Sequence, residues 1–167
     1  MTHKKHSFIL IPVLLVAFIA LPLTMQAQEY SKELFESIRK SDHITLNAMI
    51  ADGMNVNQKD KSTNTPLLLA AKIGDRQVVD ALLSNGADPN IKNKAGATAL
   101  MLAAKYGHDH VIEQLMLHDA DPLIQNKSGI KASRFASAYG HKKAYRMLLD
   151  AENEALKGRE AEEKTAS

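Results

Sequence analysis

Histidines that stand beside acidic residues are the first groups in this chain that could do chemistry. Asp42 precedes His43, and a second cluster consists of His108, Asp109 and His110. Such groups could exchange protons or bind a metal ion. His108 and His110 are two residues apart, however, so on a helix their side chains would point in different directions. The pattern therefore favours a solvated helix start over a catalytic or metal site.

The chain carries none of the short motifs that mark common catalytic sites. There is no glycine-rich phosphate loop, no H-E-x-x-H pair and no nucleophile elbow. There is also no cysteine, which excludes disulfides and thiolate-metal sites. We predict a protein that is not an enzyme and that takes no cofactor, metal ion or small-molecule substrate.

A ten-residue stretch, residues 65–74, returns 33 residues later as residues 98–107 and again, in degraded form, as residues 131–140. Gly74, Gly107 and Gly140 therefore share one spacing. A fixed period of this size is typical of a stacked array of short helical units. Such arrays build extended concave surfaces that bind other macromolecules.

The second of these units shows how one repeat is built. Leu67, Ala70 and Ala71 share one helical face, and Gly74 ends that helix. A second apolar stripe follows and predicts another helix, which ends at Gly86; its residues are Val78, Val79, Leu82 and Leu83. Asp88-Pro89-Asn90 then predicts an extended turn. Each unit is thus expected to be a helix, a tight turn, a helix and a hairpin-like loop.

At these residues the chain resembles the ankyrin-repeat family, whose consensus reads T-P-L-H-x-A-A-x-x-G-H and then V-V-x-x-L-L-x-x-G-A-D-V-N. The second unit matches at Thr65, Pro66, Leu67, Ala70, Ala71, Gly74, Val78, Val79, Leu82, Leu83, Gly86, Ala87, Asp88 and Asn90. The third unit matches at Thr98, Leu100, Ala103, Ala104, Gly107, His108, Val111, Ile112, Leu115, Ala120 and Asp121. The resemblance implies an all-α solenoid of about four helix-turn-helix units joined by β-hairpin-like loops.

The units are expected at about residues 31–60, 61–93, 94–126 and 127–151, and residues 152–167 should form a helical extension or a disordered tail. The family's histidine after T-P-L is replaced by Leu68, Met101 and Arg134. Thr63 stands where Gly96 and Gly129 stand in later units. The polar first and fourth units fit the role of end caps.

The resemblance implies that the hairpin tips and the inner helix ends form a binding groove. The predicted partner-binding residues are Arg39, Lys40, Lys61, Asn64, Lys72, Ile73, Lys94, Lys105, Tyr106, Lys127, Ile130 and Tyr139. Seven of them are basic and none is acidic. Two of the chain's four tyrosines are in this set, and tyrosine is well suited to a binding hot spot. Basic surroundings would steer an acidic partner, although lysines at hairpin tips also serve solubility alone.

The first 27 residues read as a signal peptide with cleavage after Ala27, because Lys4 and Lys5 precede an apolar run from Phe8 to Leu23. That run has 16 residues, which is short for the roughly 20 that span a bilayer. Removal of the leader leaves 19 basic and 19 acidic residues. We therefore expect a periplasmic protein, with an N-terminal inner-membrane anchor as the alternative.

Three function classes follow from these patterns. The first is a monomeric protein-binding module with an acidic partner, such as an exported enzyme that it stabilises or a toxin that it neutralises. The second is binding to a polyanion, either nucleic acid or anionic lipid; the neutral net charge and the export signal disfavour it. The third, an enzyme, depends on the histidine clusters alone.

Overall fold

The computed structural model describes residues 23–165, and these residues form helices joined by turns and loops, with no strand among them. The helices are α1 (Leu23–Arg39), α2 (His43–Ala51), α3 (Pro66–Ile73), α4 (Arg76–Ser84), α5 (Ala99–Tyr106), α6 (Asp109–Leu117), α7 (Ala132–Ala138) and α8 (Lys142–Thr165). Each unit contributes one inner helix (α1, α3, α5 or α7) and one outer helix. The predicted all-α solenoid is confirmed.

The inner helices α3 and α5 end at the glycines that the sequence pattern predicts. Thr65 and Thr98 cap α3 and α5, since their hydroxyls accept hydrogen bonds from the N–H groups of Leu68 and Met101. Gly74 and Gly107 end these helices at φ +85° and +73°, in the left-handed region that glycine adopts without strain.

The core runs continuously along the array. Each inner helix packs on the next inner helix, and each outer helix packs on its own inner partner and on the neighbouring outer helix. Fully buried alanines, including Ala70, Ala71, Ala103 and Ala104, let the inner helices approach closely. Leu68 and Met101 are also buried, so the replacement of the family's histidine by apolar residues extends the core.

Asparagine side chains join each loop to the next. The Asn57 amide donates to the Gly86 carbonyl oxygen at 3.0 Å and accepts from the Asp88 N–H at 2.9 Å. One unit later, Asn90 makes the same pair of bonds to Asp119 and Asp121. These contacts satisfy backbone groups of the loops that would otherwise lack partners.

Three residues hold a left-handed backbone where sister units have glycine. Ser41 has φ +53° at the position of Gly74 and Gly107. Thr63 has φ +62°, whereas Gly96 and Gly129 stand at the equivalent positions. Asp119 has φ +61° at the position of Gly86. A β-branched side chain is unfavourable in this region, so Thr63 carries local strain.

The C-terminal end is covered by α8, which continues without a break from the fourth unit to Thr165. The Lys131 ammonium pairs with the buried Glu152 carboxylate at 3.0 Å, and Arg159 pairs with Asp121 at 3.1 Å. These contacts bind the extension to the loops of the third and fourth units.

The predicted leader falls largely outside the described part of the chain. Residues 1–22 are not described, and residues 23–27 form the first part of the α1 backbone. Among the described residues, no helix combines the length and the apolar character needed to cross a bilayer. Cleavage after Ala27 and export therefore stay predictions.

Candidate functional site: the groove of the helical array

The ends of the inner helices bring three of the predicted residues together. The Lys105 ammonium lies 5.7 Å from the centre of the Tyr106 ring and 5.3 Å from that of the Tyr139 ring. Both distances are within the range of a cation–π interaction. Lys105 therefore joins the third unit to the fourth and is half-buried, while the two tyrosines stay exposed.

Lys72 and Ile73 hold the same register one unit earlier. The Lys72 side chain is exposed, and no carboxylate of the described residues lies within ion-pairing distance of it. Ile73, Tyr106 and Tyr139 form a row of large apolar side chains at 33-residue intervals, with 39%, 42% and 54% of each residue exposed. The inner helix ends of the second and third units thus carry a cation followed by an apolar side chain, and Tyr139 continues the apolar row in the fourth unit.

The first unit differs from the others at these positions. The Arg39 guanidinium and the Lys40 ammonium both pair with the Glu36 carboxylate, at 3.7 and 3.4 Å. Sequence reasoning missed Glu36 because only the basic and tip positions were compared among units. Comparing residues 36, 69, 102 and 135, which share one register, would have found this acid.

The hairpin tips carry the second row of cations. Lys61, Lys94 and Lys127 are all exposed, and none has an ion-pair partner among the described residues. The Lys127 N–H donates to the Ala95 carbonyl oxygen at 3.3 Å, which links neighbouring tips. The tips that carry Lys94 and Lys127 are therefore joined through their backbones.

Asn64 and Ile130 occupy the bases of two tips. The Asn64 amide donates to Asp60 and accepts from the Asn93 side chain at 3.0 Å. Its side chain thus already serves the joint between two tips. Ile130 is half-buried, and its N–H donates to the Asn126 side-chain oxygen.

A hollow of about 410 Å³ lies between α1 and the first hairpin tip. Its lining includes Gln28, Ser31 and Lys32, which belong to the part of α1 that precedes the register at which α3 begins. Four cations line it: Lys32, Arg39, Lys59 and Lys61. Asp60 also lines it, but its carboxylate already accepts hydrogen bonds from Ser62 and Asn64.

His108, which the sequence pattern assigns to a solvated helix start, has a further role, and His141 shares it one unit later. His108 Nε2 lies 3.1 Å from the Lys72 carbonyl oxygen, and His141 Nε2 lies 3.1 Å from that of Lys105. Each ring thus bonds to the end of the preceding inner helix, where carbonyl groups lack helical partners. The sequence places His108 and His141 in one register, but it does not show that each ring bonds to the preceding unit.

At the joint between the first two units, Asp75 stands in the register that His108 has at the next joint. His43 Nε2 lies 3.0 Å from Asp75 Oδ2, and Asp75 also accepts from the N–H of Val78 as it caps α4. Burial raises the pKa of Asp75, but hydrogen bonds from His43, Ser41 and Val78 outweigh it and hold that pKa below its usual value. Asp75 is therefore a structural carboxylate at the joint.

No cluster of three histidines, aspartates or glutamates among the described residues could hold a metal ion.

Comparison with known families then gives the affiliation of the array. A family model for ankyrin repeats (3 copies) matches residues 67–159, more than half of the chain. The chain belongs to the ankyrin-repeat family.

The ankyrin match covers the second to fourth units and most of α8, while α1 and α2 repeat the same helix-turn-helix form outside it. No curated protein gives a significant match to this ankyrin-repeat chain. Ankyrin repeats are protein-protein interaction modules and are generally non-catalytic. The chain is accordingly an interaction module.

Proposed function

We propose that this ankyrin-repeat chain is a non-catalytic module of the cell envelope that binds an acidic protein surface through its groove. The cluster of Lys105, Tyr106 and Tyr139, with the unpaired Lys72 beside it, carries the proposal. The partner would be an exported enzyme that the module stabilises or a toxin that it neutralises.

The cluster has the composition of a binding hot spot. Exposed tyrosines supply a large contact area with few rotatable bonds, and tyrosine is enriched among residues that dominate binding energy. The Lys105 ammonium is already oriented by two rings, so less side-chain freedom is lost when a carboxylate binds it. A folded protein surface is the ligand that can use both the cationic and the apolar rows.

The mixed character of the groove favours a protein partner over a polyanion. A phosphate-tracking surface needs many cations in contact with phosphates and shows steep salt dependence. Here Arg39 and Lys40 are paired with Glu36, and Ile73 adds apolar surface to the row. We expect weak retention on heparin at physiological salt.

The envelope location depends on the sequence pattern of residues 1–27 alone. Cell fractionation, with mass spectrometry of the mature N-terminus, tests it. A periplasmic product that begins at Gln28 is expected. A full-length cytosolic product would contradict the location and leave the groove proposal intact.

The central experiment is affinity purification of partners from envelope extract, followed by mass spectrometry. The test variant combines Lys72→Glu, Lys105→Glu and Tyr106→Ala. We expect it to lose the protein that the wild type retains, because two attractive charges become repulsive and one aromatic contact disappears.

A matched control carries the same chemical changes outside the groove: Lys142→Glu, Lys157→Glu and Tyr145→Ala. All three residues are exposed on α8. It should retain the partner, and circular-dichroism melting must show both variants folded like the wild type. Equal retention by the test variant and the wild type would contradict the proposal, as would equal loss in both variants.

A further inference from the structure

The cations of the groove are not equally available along the array. In the first unit, Glu36 holds both Arg39 and Lys40. In the second unit Lys72 is unpaired, and in the third Lys105 is held only by aromatic rings, which leave its charge uncompensated. The inner helix ends can therefore attract carboxylates mainly at two points, one on each of two adjacent units.

The row of exposed apolar side chains is also absent from the first unit. Ile73 and Tyr106 directly follow Lys72 and Lys105, and Tyr139 extends the row into the fourth unit. In the first unit the corresponding residue is Lys40. The usable surface thus pairs a cation with an apolar side chain on the second and third units, and the fourth unit, which has Ala138 in place of the cation, adds Tyr139 alone.

The spacing of the two cations constrains the ligand. Lys72 and Lys105 occupy the same register on α3 and α5, which pack directly against each other. Packed helices have axes about 8–10 Å apart, so two bound carboxylates should be separated by roughly that distance. The separation can be compared with the side-chain spacings of each regular structure.

An α-helix meets this requirement and a β-strand does not. Residues i and i+7 of an α-helix lie about 10.5 Å apart and on the same face. On a strand, residues that share a face lie about 6.6 or 13 Å apart, and residue i+3 points to the opposite face. A helix also places apolar residues at i+3 and i+4 beside the acids, where they can contact the apolar row.

We infer that the element bound by this groove is an amphipathic α-helix with acidic residues seven positions apart. It lies across the second to fourth units, with one carboxylate on Lys72 and the next on Lys105. Its apolar residues contact Ile73, Tyr106 and Tyr139. This inference rests on the proposed function and adds to it the secondary structure and charge spacing of the partner.

Three labelled peptides of equal length and equal net charge test the inference by fluorescence anisotropy at about 50 mM salt, where screening is modest. The first is a stapled helix with glutamates at i and i+7. The second is a stapled helix with glutamates at i and i+4. The third is a polyproline-type peptide with glutamates at i and i+3, which also lie about 9 Å apart. We expect the first to bind about tenfold tighter than the others.

Variants of the full chain assign the contacts. Lys72→Glu with Lys105→Glu should abolish binding of the first peptide, and a peptide with lysines at i and i+7 should restore it. Lys142→Glu with Lys157→Glu is the matched control, and its affinity should stay within about twofold of the wild type, because both side chains are exposed on α8, outside the groove.

Equal binding of all three peptides, tightest binding of the third, or no binding of the first would overturn the inference. So would equal losses in the two variants. If the proposed function itself is incorrect, the Lys72, Lys105 and Tyr106 variant still retains its envelope partner. A partner lost in that variant, together with equal binding of all peptides, would remove the helix inference alone.

Discussion

Replacement of Gly74 by alanine tests the histidine joint between the second and third units. A Cβ atom at Gly74 would lie 2.5 Å from the His108 ring, so the ring would have to leave its position. The hydrogen bond from His108 to the Lys72 carbonyl oxygen would then be lost. The left-handed backbone at this residue adds a second, independent cost.

Gly140 provides a matched control for the size of the effect. Its φ of +80° is close to the +85° of Gly74, but nothing lies within 4 Å of a Cβ atom placed there. The left-handed conformation costs an L-residue about 1–2 kcal/mol at either site. Loss of a hydrogen bond adds about 0.5–1.5 kcal/mol at Gly74 alone. Because the ring is also displaced, Gly74→Ala should lower the free energy of unfolding by about 1–2 kcal/mol more than Gly140→Ala does.

Urea denaturation of the purified protein, followed by circular dichroism at 222 nm, measures both variants. A double variant, Gly74→Ala with His108→Ala, removes the obstructing ring, so the two changes should be non-additive by about 1 kcal/mol. Gly107→Ala should repeat the effect through His141. Equal costs for Gly74→Ala and Gly140→Ala, within about 0.5 kcal/mol, would refute the assignment of the histidine to the joint.

Three further predictions concern stability and use the same urea assay. Thr63→Gly should stabilise the chain by about 1 kcal/mol, because it relieves a left-handed threonine whose buried hydroxyl has no partner; a loss of stability would contradict the strain. Lys131→Met should cost about 3 kcal/mol, since it leaves the Glu152 carboxylate, 7% exposed, without its counter-ion; adding Glu152→Leu should recover most of that loss. Asp75→Asn keeps a capping side chain but removes the charge, and should cost about 1 kcal/mol at pH 7. Because folding lowers the pKa of Asp75, its charge stabilises the chain at pH values above the unfolded pKa of about 3.9. The difference in free energy of unfolding between the wild type and Asp75→Asn should therefore shrink as pH falls below that value. A difference that is unchanged at pH 3 would contradict this.

Much of the fold could be predicted because it depends on short-range signals. Thr65 and Pro66 start a helix and Gly74 ends it through local backbone preferences, and these signals recur at one spacing. The same spacing assigns Lys72 and Lys105 to one register. Local chemistry and periodicity therefore suffice for the helices and for the common register of these residues.

The contacts between units were not accessible in the same way. The bond from His108 to Lys72 joins residues 36 positions apart and requires the distance between two packed helices. The pairing of Glu36 with Arg39 and Lys40 is local, yet it matters only once Glu36 is known to lie beside the groove. Identifying the side-chain partners across units thus required the three-dimensional arrangement, whereas the sequence alone indicates which residues share a face of a helix.

The asparagine bonds between successive loops have an evolutionary consequence. Asn57 and Asn90 occupy one register and bind the same two positions of the following loop. A duplication of the 33 codons that include either asparagine would therefore insert a unit already equipped to join both neighbours. The array could gain length in a single genetic event without new interface residues, whereas Leu123, which stands in that register in the last loop, has no side-chain amide to make the same bonds.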